Sequence, residues 1–202
     1  MYWLAINREG VAFAQLCEEL VPAVPPGELL EGLDSLRRRC LIENRNSEFA
    51  LQPVMMEYVT ERLVKQVCQE IKTQQLFLFQ SHALVKAQAL DHVREAQVRL
   101  ILQPVIEELL SIFGSKGRIE ERLTQIRTLL QELAPQEPGY AAGNLLNLLA
   151  QLGTDCCCLD CSHSTVSQAD LRHLDLQQVY FSGADLTSSR LDSQHNILQN
   201  VG

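Results

Sequence analysis

The last quarter of the chain carries an apolar residue at every fifth position. From Thr154 the units read Thr-Asp-Cys-Cys-Cys, Leu-Asp-Cys-Ser-His, Ser-Thr-Val-Ser-Gln, Ala-Asp-Leu-Arg-His, Leu-Asp-Leu-Gln-Gln, Val-Tyr-Phe-Ser-Gly, Ala-Asp-Leu-Thr-Ser and Ser-Arg-Leu-Asp-Ser. Their third positions are Cys156, Cys161, Val166, Leu171, Leu176, Phe181, Leu186 and Leu191. A strand repeats every two residues and a helix every 3.6, so neither keeps one face apolar at a spacing of five. The pattern needs a solenoid in which each unit turns the chain through one side of a coil. A narrow interior of this kind admits mainly Leu, Val, Cys and an occasional Phe, in keeping with an aromatic content of 5%.

The texture before Gly153 is different. From Thr154 onward every acid is Asp, Glu and Lys are missing, and six Asp face two Arg, which accounts for half of the formal net charge of -8. Upstream, helix formers dominate. Val11 to Leu20 places Phe13, Leu16, Cys17 and Leu20 on one helical face and stops at Pro22. Pro25 and Pro26 open a second helix with the stripe Leu29, Leu30, Leu33 and Leu36, closed by Arg37-Arg38-Arg39, cations suited to a helix C-terminus. Cys40-Leu41-Ile42 and Phe49-Ala50-Leu51 flank the polar run Glu43 to Glu48 and predict a hairpin. Helix, helix, hairpin is the order of a winged helix, with Trp3, Leu4 and Ile6 ending a first helix.

Pro53 to Gly153 reads as almost wholly helical. Met55, Val59, Leu63, Val67 and Ile71 step by four, widened by Tyr58 and Val64. A second stretch runs from about Ser81 through Leu84, Ala87, Leu90, Val93 and Leu100 until Pro104 breaks or kinks it. Val105 to Phe113 follows, then a turn at Gly114 to Gly117, then the stripe Ile119, Leu123, Ile126, Leu130 and Leu133. Tyr140 to Leu152 is apolar on most faces, which predicts a buried helix or a lid over the first end of the solenoid.

The expected organisation is therefore a winged-helix-like domain at 1–66, a helical arm at 67–152 and a solenoid at 153–198. No apolar run approaches the roughly 18 to 20 residues of a membrane span, and Met1 to Ile6 lacks the basic start of a secretory signal. A cytoplasmic protein without membrane contact is expected. Seven cysteines, an odd number, point to reduced thiols rather than a disulfide framework.

Several residues invite a chemical reading. Cys156, Cys157, Cys158, Cys161 and His163 offer soft ligands for zinc, but zinc sites favour a second ligand pair further along, and none exists. Cys156 and Cys161 also fall on inward repeat positions, where a small hydrophobe is wanted. No metal and no cofactor are expected. Arg37, Arg38 and Arg39 could meet DNA phosphates, yet Glu28, Glu31 and Asp34 on the same helix and a pI near 5.1 oppose it. His82, His92, His163, His173 and His195 assemble into no catalytic set, so an enzyme is not expected.

The repeats resemble the pentapeptide-repeat family, with Ala169-Asp170-Leu171 and Ala184-Asp185-Leu186 matching its consensus. The resemblance implies a right-handed quadrilateral β-helix with four units per coil, whose interior would hold Val166, Leu171, Leu176, Phe181, Leu186 and Leu191. The fold class expected overall is a mostly α N-terminal part, winged helix plus helical arm, followed by this short β-helix.

A wider resemblance rests on Tyr2 to Ile6, Leu33 to Glu43, Phe49 to Val59 and Gly139 to Leu149. These segments look like the winged helix and adjoining arm of bacterial NB-ARC-type signalling ATPases that carry WD repeats. The resemblance implies a non-catalytic regulatory and protein-interaction segment, partnered by ATPase and WD-repeat regions outside this chain or by a paired polypeptide. The alternative is a free-standing winged-helix DNA-binding regulator. Two departures stand out. No Gly-x-x-x-x-Gly-Lys-Ser/Thr occurs, and Gly114-Ser115-Lys116-Gly117 cannot replace it. The family's Met-His-Asp aligns with Leu51-Gln52-Pro53, so Gln52 stands where a His would sense the nucleotide, keeping one hydrogen-bond donor group without the charge.

Overall fold

The computed structural model describes residues 1–133, 138–154, 160–162, 164–172, 179–186 and 188–190. The chain begins with α1 (Tyr2–Asn7), whose residues Trp3 to Asn7 are all buried. The expected helix from Val11 to Leu20 starts two residues late. Val11–Ala12 form a short strand, β1, and α2 spans Phe13–Glu19. The reason is tertiary: β1 pairs with residues more than thirty positions away, Val11 opposite Phe49 and Ala12 opposite Glu48, which local periodicity cannot register. Helix α3 (Pro26–Arg38) begins on its proline as expected and buries Leu33, while Leu30 stays 47% exposed and outside the packed stripe.

The hairpin is tighter than expected. Strands β2 (Ile42–Arg45) and β3 (Glu48–Leu51) take up four of the six residues read as loop. Asn46 and Ser47 turn the chain alone, with φ of 53° and 67°, the left-handed pair a two-residue hairpin turn requires. Polar side chains at Glu43, Asn44, Arg45 and Glu48 hid the ladder, because the buried side of this hairpin is carried by Ile42, Phe49 and Leu51. The sheet is antiparallel throughout, in the order β1-β3-β2.

Helix α4 (Pro53–Thr73) runs unbroken for 21 residues. Val59, Leu63, Val67 and Ile71 bury its predicted face together with Val64, while Tyr58 remains 52% exposed. After α5 (Leu78–Ser81) comes the main departure from the expected helices: residues 82–90 are irregular, and a helix returns only with α6 (Asp91–Gln97). Ala83, Leu84, Val85 and Ala87 are buried, which explains the helix-like pattern, but Leu90 is 65% exposed. Buried irregular backbone needs outside partners. The Leu84 N–H donates to Asn144 Oδ1 at 2.7 Å, and the Lys86 N–H donates to Gln97 Oε1 at 2.9 Å.

Pro104 does not end the helical run, which continues without a gap from Asp91 to Phe113. A π turn at Val98–Leu102 joins α6 to α7 (Gln103–Phe113), and the Gln103 N–H reaches back five residues to Val98 O. The wider turn makes room for a ring that has no N–H and would crowd a preceding carbonyl. Leu100 faces outward, 40% exposed, instead of joining the stripe. Gly114, at φ 79°, closes α7, and α8 (Lys116–Leu133) buries Ile119, Leu123 and Ile126 completely. Helix α9 (Ala141–Leu152) is buried along most of its length. Four of its five leucines, at 145, 146, 148 and 149, are 4% exposed or less, a contribution of roughly 2 kcal/mol each.

Beyond Gly153 the described repeat residues pair at a fixed interval. Parallel bridges join Asp160 to Tyr180, Thr165 to Asp185 and Asp170 to Arg190, each spanning four five-residue units. The N–H groups of Cys161, Val166 and Leu171 donate to the carbonyls of Tyr180, Asp185 and Arg190 at 2.7–2.9 Å. Cys161, Val166, Leu171 and Phe181 are buried at the third positions, and Ala169 and Val179 are buried two residues before Leu171 and Phe181. Leu186 packs half-buried against the same core. Leu176 and Leu191 lie outside the described residues.

Candidate functional site

Helix α9 is the joint between the helices and the repeats, and two asparagines three residues apart make it so. Asn144 turns toward the irregular segment: its Nδ2 donates to Phe79 O at 2.8 Å and His82 O at 2.7 Å, while its Oδ1 accepts from Leu84. Asn147 turns toward the repeats. Its Nδ2 donates to Gln168 O at 3.0 Å, and its Oδ1 accepts from the Asp170 N–H at 2.9 Å. One side-chain amide thus meets both a carbonyl and an N–H of a repeat backbone, as a strand would. Gly143 lies one turn before Asn147, and there a Cβ would come 1.9 Å from Ser167 O. Any side chain here would push the helix off the repeat.

Charged groups reinforce the contact. Arg94 of α6 is 8% exposed and bonds Asp170 at 3.1 Å and Asp91 at 2.9 Å, and Arg172 holds the same Asp170 through Nε at 2.8 Å and Nη2 at 2.6 Å. Burial alone would raise the Asp170 carboxyl, but the hydrogen bonds and charge of Arg172, with Arg94 behind it, prevail and hold it below its usual range. From the other side, Gln131 and Arg127 of α8 donate to Asp160 O at 2.9 and 3.5 Å, and Thr154 donates to Glu120 Oε1 at 2.6 Å.

A buried polar network lies under this joint. Lys86 Nζ donates to Asn7 Oδ1 at 2.7 Å and pairs with the Glu19 carboxylate, with only 12% and 10% of the two charged side chains exposed. Asn7 and Gln15 donate to the same carboxylate at 2.9 and 2.8 Å, and the Tyr140 hydroxyl donates to Glu19 O at 3.0 Å. Burial, then the charge of Glu19, pushes the Tyr140 hydroxyl up to about 12. Beside it, Trp3 stacks on His82 with ring centres 5.2 Å apart and meets Tyr140 edge-on. Burial, with a smaller effect of the Met1 amine, pushes His82 down to about 4, so its ring is neutral at pH 7.

The residues singled out from sequence do not converge here. Gln52 is half-buried at the start of α4, where its backbone carbonyl accepts from Met56 and its side chain makes no cap. Arg37, Arg38 and Arg39 are exposed at the end of α3. Arg37 pairs with Asp34 at 3.0 Å, and Arg38 donates to Asp34 O at 3.3 Å. Cys161 is buried, while Cys156, Cys157, Cys158 and His163 lie outside the described residues. Among the described residues no three His, Cys, Asp or Glu side chains gather as metal ligands, and no helix is long and apolar enough to cross a membrane.

Sequence reasoning missed Asn144 and Asn147 as the joint. The signal was present: two amides in an otherwise apolar helix must find partners when buried. Lys86 and Glu19, 67 residues apart, gave no such sign.

Comparison with known proteins places these features in context. Residues 160–193 match the model of pentapeptide repeats, in eight copies. The chain is similar to an uncharacterized WD repeat-containing protein of Nostoc sp. (strain PCC 7120), at 43% identity over 93% of this chain. It spans 18% of the length of that relative. No solved structure matches it.

Proposed function

We propose that this chain is a non-catalytic regulatory and protein-interaction segment of a longer WD-repeat signalling protein of the NB-ARC type. In this reading residues 1–66 act as a winged helix, 67–152 as a helical arm, and 153–198 as a right-handed quadrilateral β-helix. The arm passes a change between an ATPase domain on one side and a repeat sensor on the other, inside the cytoplasm.

The observation that carries the reading is the double hydrogen bond from Asn147 to the repeat backbone, backed by Gly143 in close contact and by the Arg94 to Asp170 pair. Helices joined to repeats in this way move them as one piece. Support for the parts comes from particulars. The order helix, strand, helix, helix, hairpin suits a winged helix. Bridges four units apart suit a four-sided coil, and the kinship with a WD repeat-containing protein suits an interaction role. DNA binding has less behind it, since Arg37 and Arg38 are engaged by Asp34.

The test is reconstitution. Purified regions flanking the matched stretch of the Nostoc relative are mixed with this chain and followed by size-exclusion chromatography and by the ADP each fraction retains. A complex that retains ADP is the expected result. Failure of every flanking region to bind, or a complex without nucleotide, overturns the NB-ARC reading. In that complex Gln52→Ala tests nucleotide sensing separately, because unaltered ADP retention removes Gln52 from the mechanism.

A further inference from the structure

Helices α4 and α7 pack against each other and leave a groove of about 620 Å³ where they meet. Its base is apolar. Val64 comes from α4, and Leu100 and Pro104 come from the π turn and the start of α7. Leu100, 40% exposed, is accessible to an occupant.

Both banks of the groove are acidic. Glu57 and Glu61 stand one turn apart on α4, Glu107 and Glu108 stand on α7, and all four are exposed. Two cations share the groove with them. Lys65 is taken by Glu61, whose hydrogen bond and charge, with a smaller effect of Glu108 from the opposite bank, raise the ammonium above its usual range. The Nε and Nη2 of Arg8 are buried, so they do not meet what enters. Glu107 accepts from Gln103 at 3.2 Å, and neither it nor Glu57 forms an ion pair among the described residues.

This pattern selects among occupants. A small ligand needs polar groups to orient it, and the buried Thr60 hydroxyl here already donates to Met56 O at 2.7 Å. A phosphate-bearing surface is repelled by the four carboxylates. A helix suits both the shape and the charge, because the ridges of a third helix pack into the groove between two others. Carboxylates one turn apart, roughly 6 Å, match Lys or Arg side chains three or four residues apart on that helix. Glu57 to Lys65 and Leu100 to Glu108 each give a wall about 12 Å long, room for two helical turns.

We propose that this groove docks a basic amphipathic helix of a partner protein, its leucine-like face on Val64, Leu100 and Pro104 and its flanking Lys or Arg side chains paired with Glu57 and Glu107. The partner is then held by the helical arm, leaving the repeats free for other contacts. The proposal does not depend on an ATPase domain.

The probe is a blocked, fluorescein-labelled peptide of Leu and Lys, about 14 residues long, with its leucines on one helical face. It is titrated into the full chain at about 0.15 M salt and followed by anisotropy. Two reference peptides accompany it: one scrambled so that no leucine face forms, and one with Glu in place of Lys. The expected result is saturable one-to-one binding, about ten-fold or more tighter than either reference. Leu100→Ser and Glu57→Lys should each weaken it about five-fold or more, and Glu57→Lys should gain binding to the Glu peptide. Glu31→Lys makes the same charge change on α3, outside the groove, and should leave binding as it was. All three positions are exposed, so the variants keep the fold, which circular dichroism checks. No saturable binding up to about 1 mM, equal binding of the scrambled peptide, or a loss from Glu31→Lys as large as that from Glu57→Lys overturns the proposal. So does self-association of the chain in sedimentation velocity that Leu100→Ser abolishes, which assigns the groove to a second copy.

Discussion

The side chain of Asn147 holds the backbone of Asp170 as a neighbouring strand would, with its Oδ1 2.9 Å from the Asp170 N–H and its Nδ2 3.0 Å from the carbonyl two residues earlier. A helix therefore ends a repeat stack by supplying hydrogen bonds as well as apolar cover. Unpaired N–H and C=O groups at the end of a stack are a liability, and one amide removes two of them.

Replacing Asn147 by Ala leaves a repeat carbonyl and a repeat N–H without partners. The expected loss is about 2–3 kcal/mol of stability, read by urea unfolding, with faster hydrogen exchange at Asp170 than in α4. Asn147→Asp keeps the acceptor and loses the donor, so it should fall between Ala and wild type. An Ala variant as stable as wild type would show that the amide is replaceable by water.

Gly143→Ala tests the close approach. In a free helix the change stabilises by about 1 kcal/mol. Here the new Cβ would meet Ser167 O at 1.9 Å, a contact with backbone that cannot rotate away. The net effect should be destabilising by about 1–3 kcal/mol, measured as a lower urea midpoint, with α9 still helical by circular dichroism.

Stability should fall in mild acid on account of His82. Its folded value is about 4 against an ordinary 6.5, so between these limits the unfolded chain binds a proton that the folded chain refuses. Stability from this residue is therefore full above pH 6.5 and declines down to about pH 4, by up to about 3 kcal/mol. His82→Phe keeps a ring against Trp3 and should flatten the decline between pH 6.5 and 5. Parallel pH curves for both proteins would contradict the assignment.

Lys86→Met leaves the Glu19 charge buried without its counter-ion and should cost about 3 kcal/mol. Adding Glu19→Gln removes that charge while keeping an oxygen for one of the two donors, Asn7 or Gln15. The double variant should be more stable than Lys86→Met alone, and a double-mutant cycle measures the coupling. Additive losses would mean that the pair is solvated.

What the sequence made legible was periodic. The spacing of five marked the interior residues Val166, Leu171 and Phe181, and the spacing of four marked Val59, Leu63, Val67 and Ile71, because these residues solve a local geometric problem. Residues 82–90 misled for a physical reason. Their apolar side chains repeat as a helix would, yet Asn144 and Gln97 bond to the backbone that a helix would have bonded to itself. Strand β1 was hidden because its partner Phe49 lies far along the chain. The polar floor of Lys86, Glu19 and Asn7 was hidden likewise, since nothing in the neighbourhood of each residue announces the others.

The π turn before Pro104 carries an evolutionary implication. Such a turn is equivalent to one residue inserted into an ordinary helix, and it keeps α6 and α7 facing as they would without the insertion. Deleting a residue from Val98–Leu102 would restore a regular helix and put the Pro104 ring against a carbonyl it now avoids. Insertion and proline are thus tied together: homologues shorter by one residue at this point should have lost the proline as well, and those that keep it should keep the extra residue.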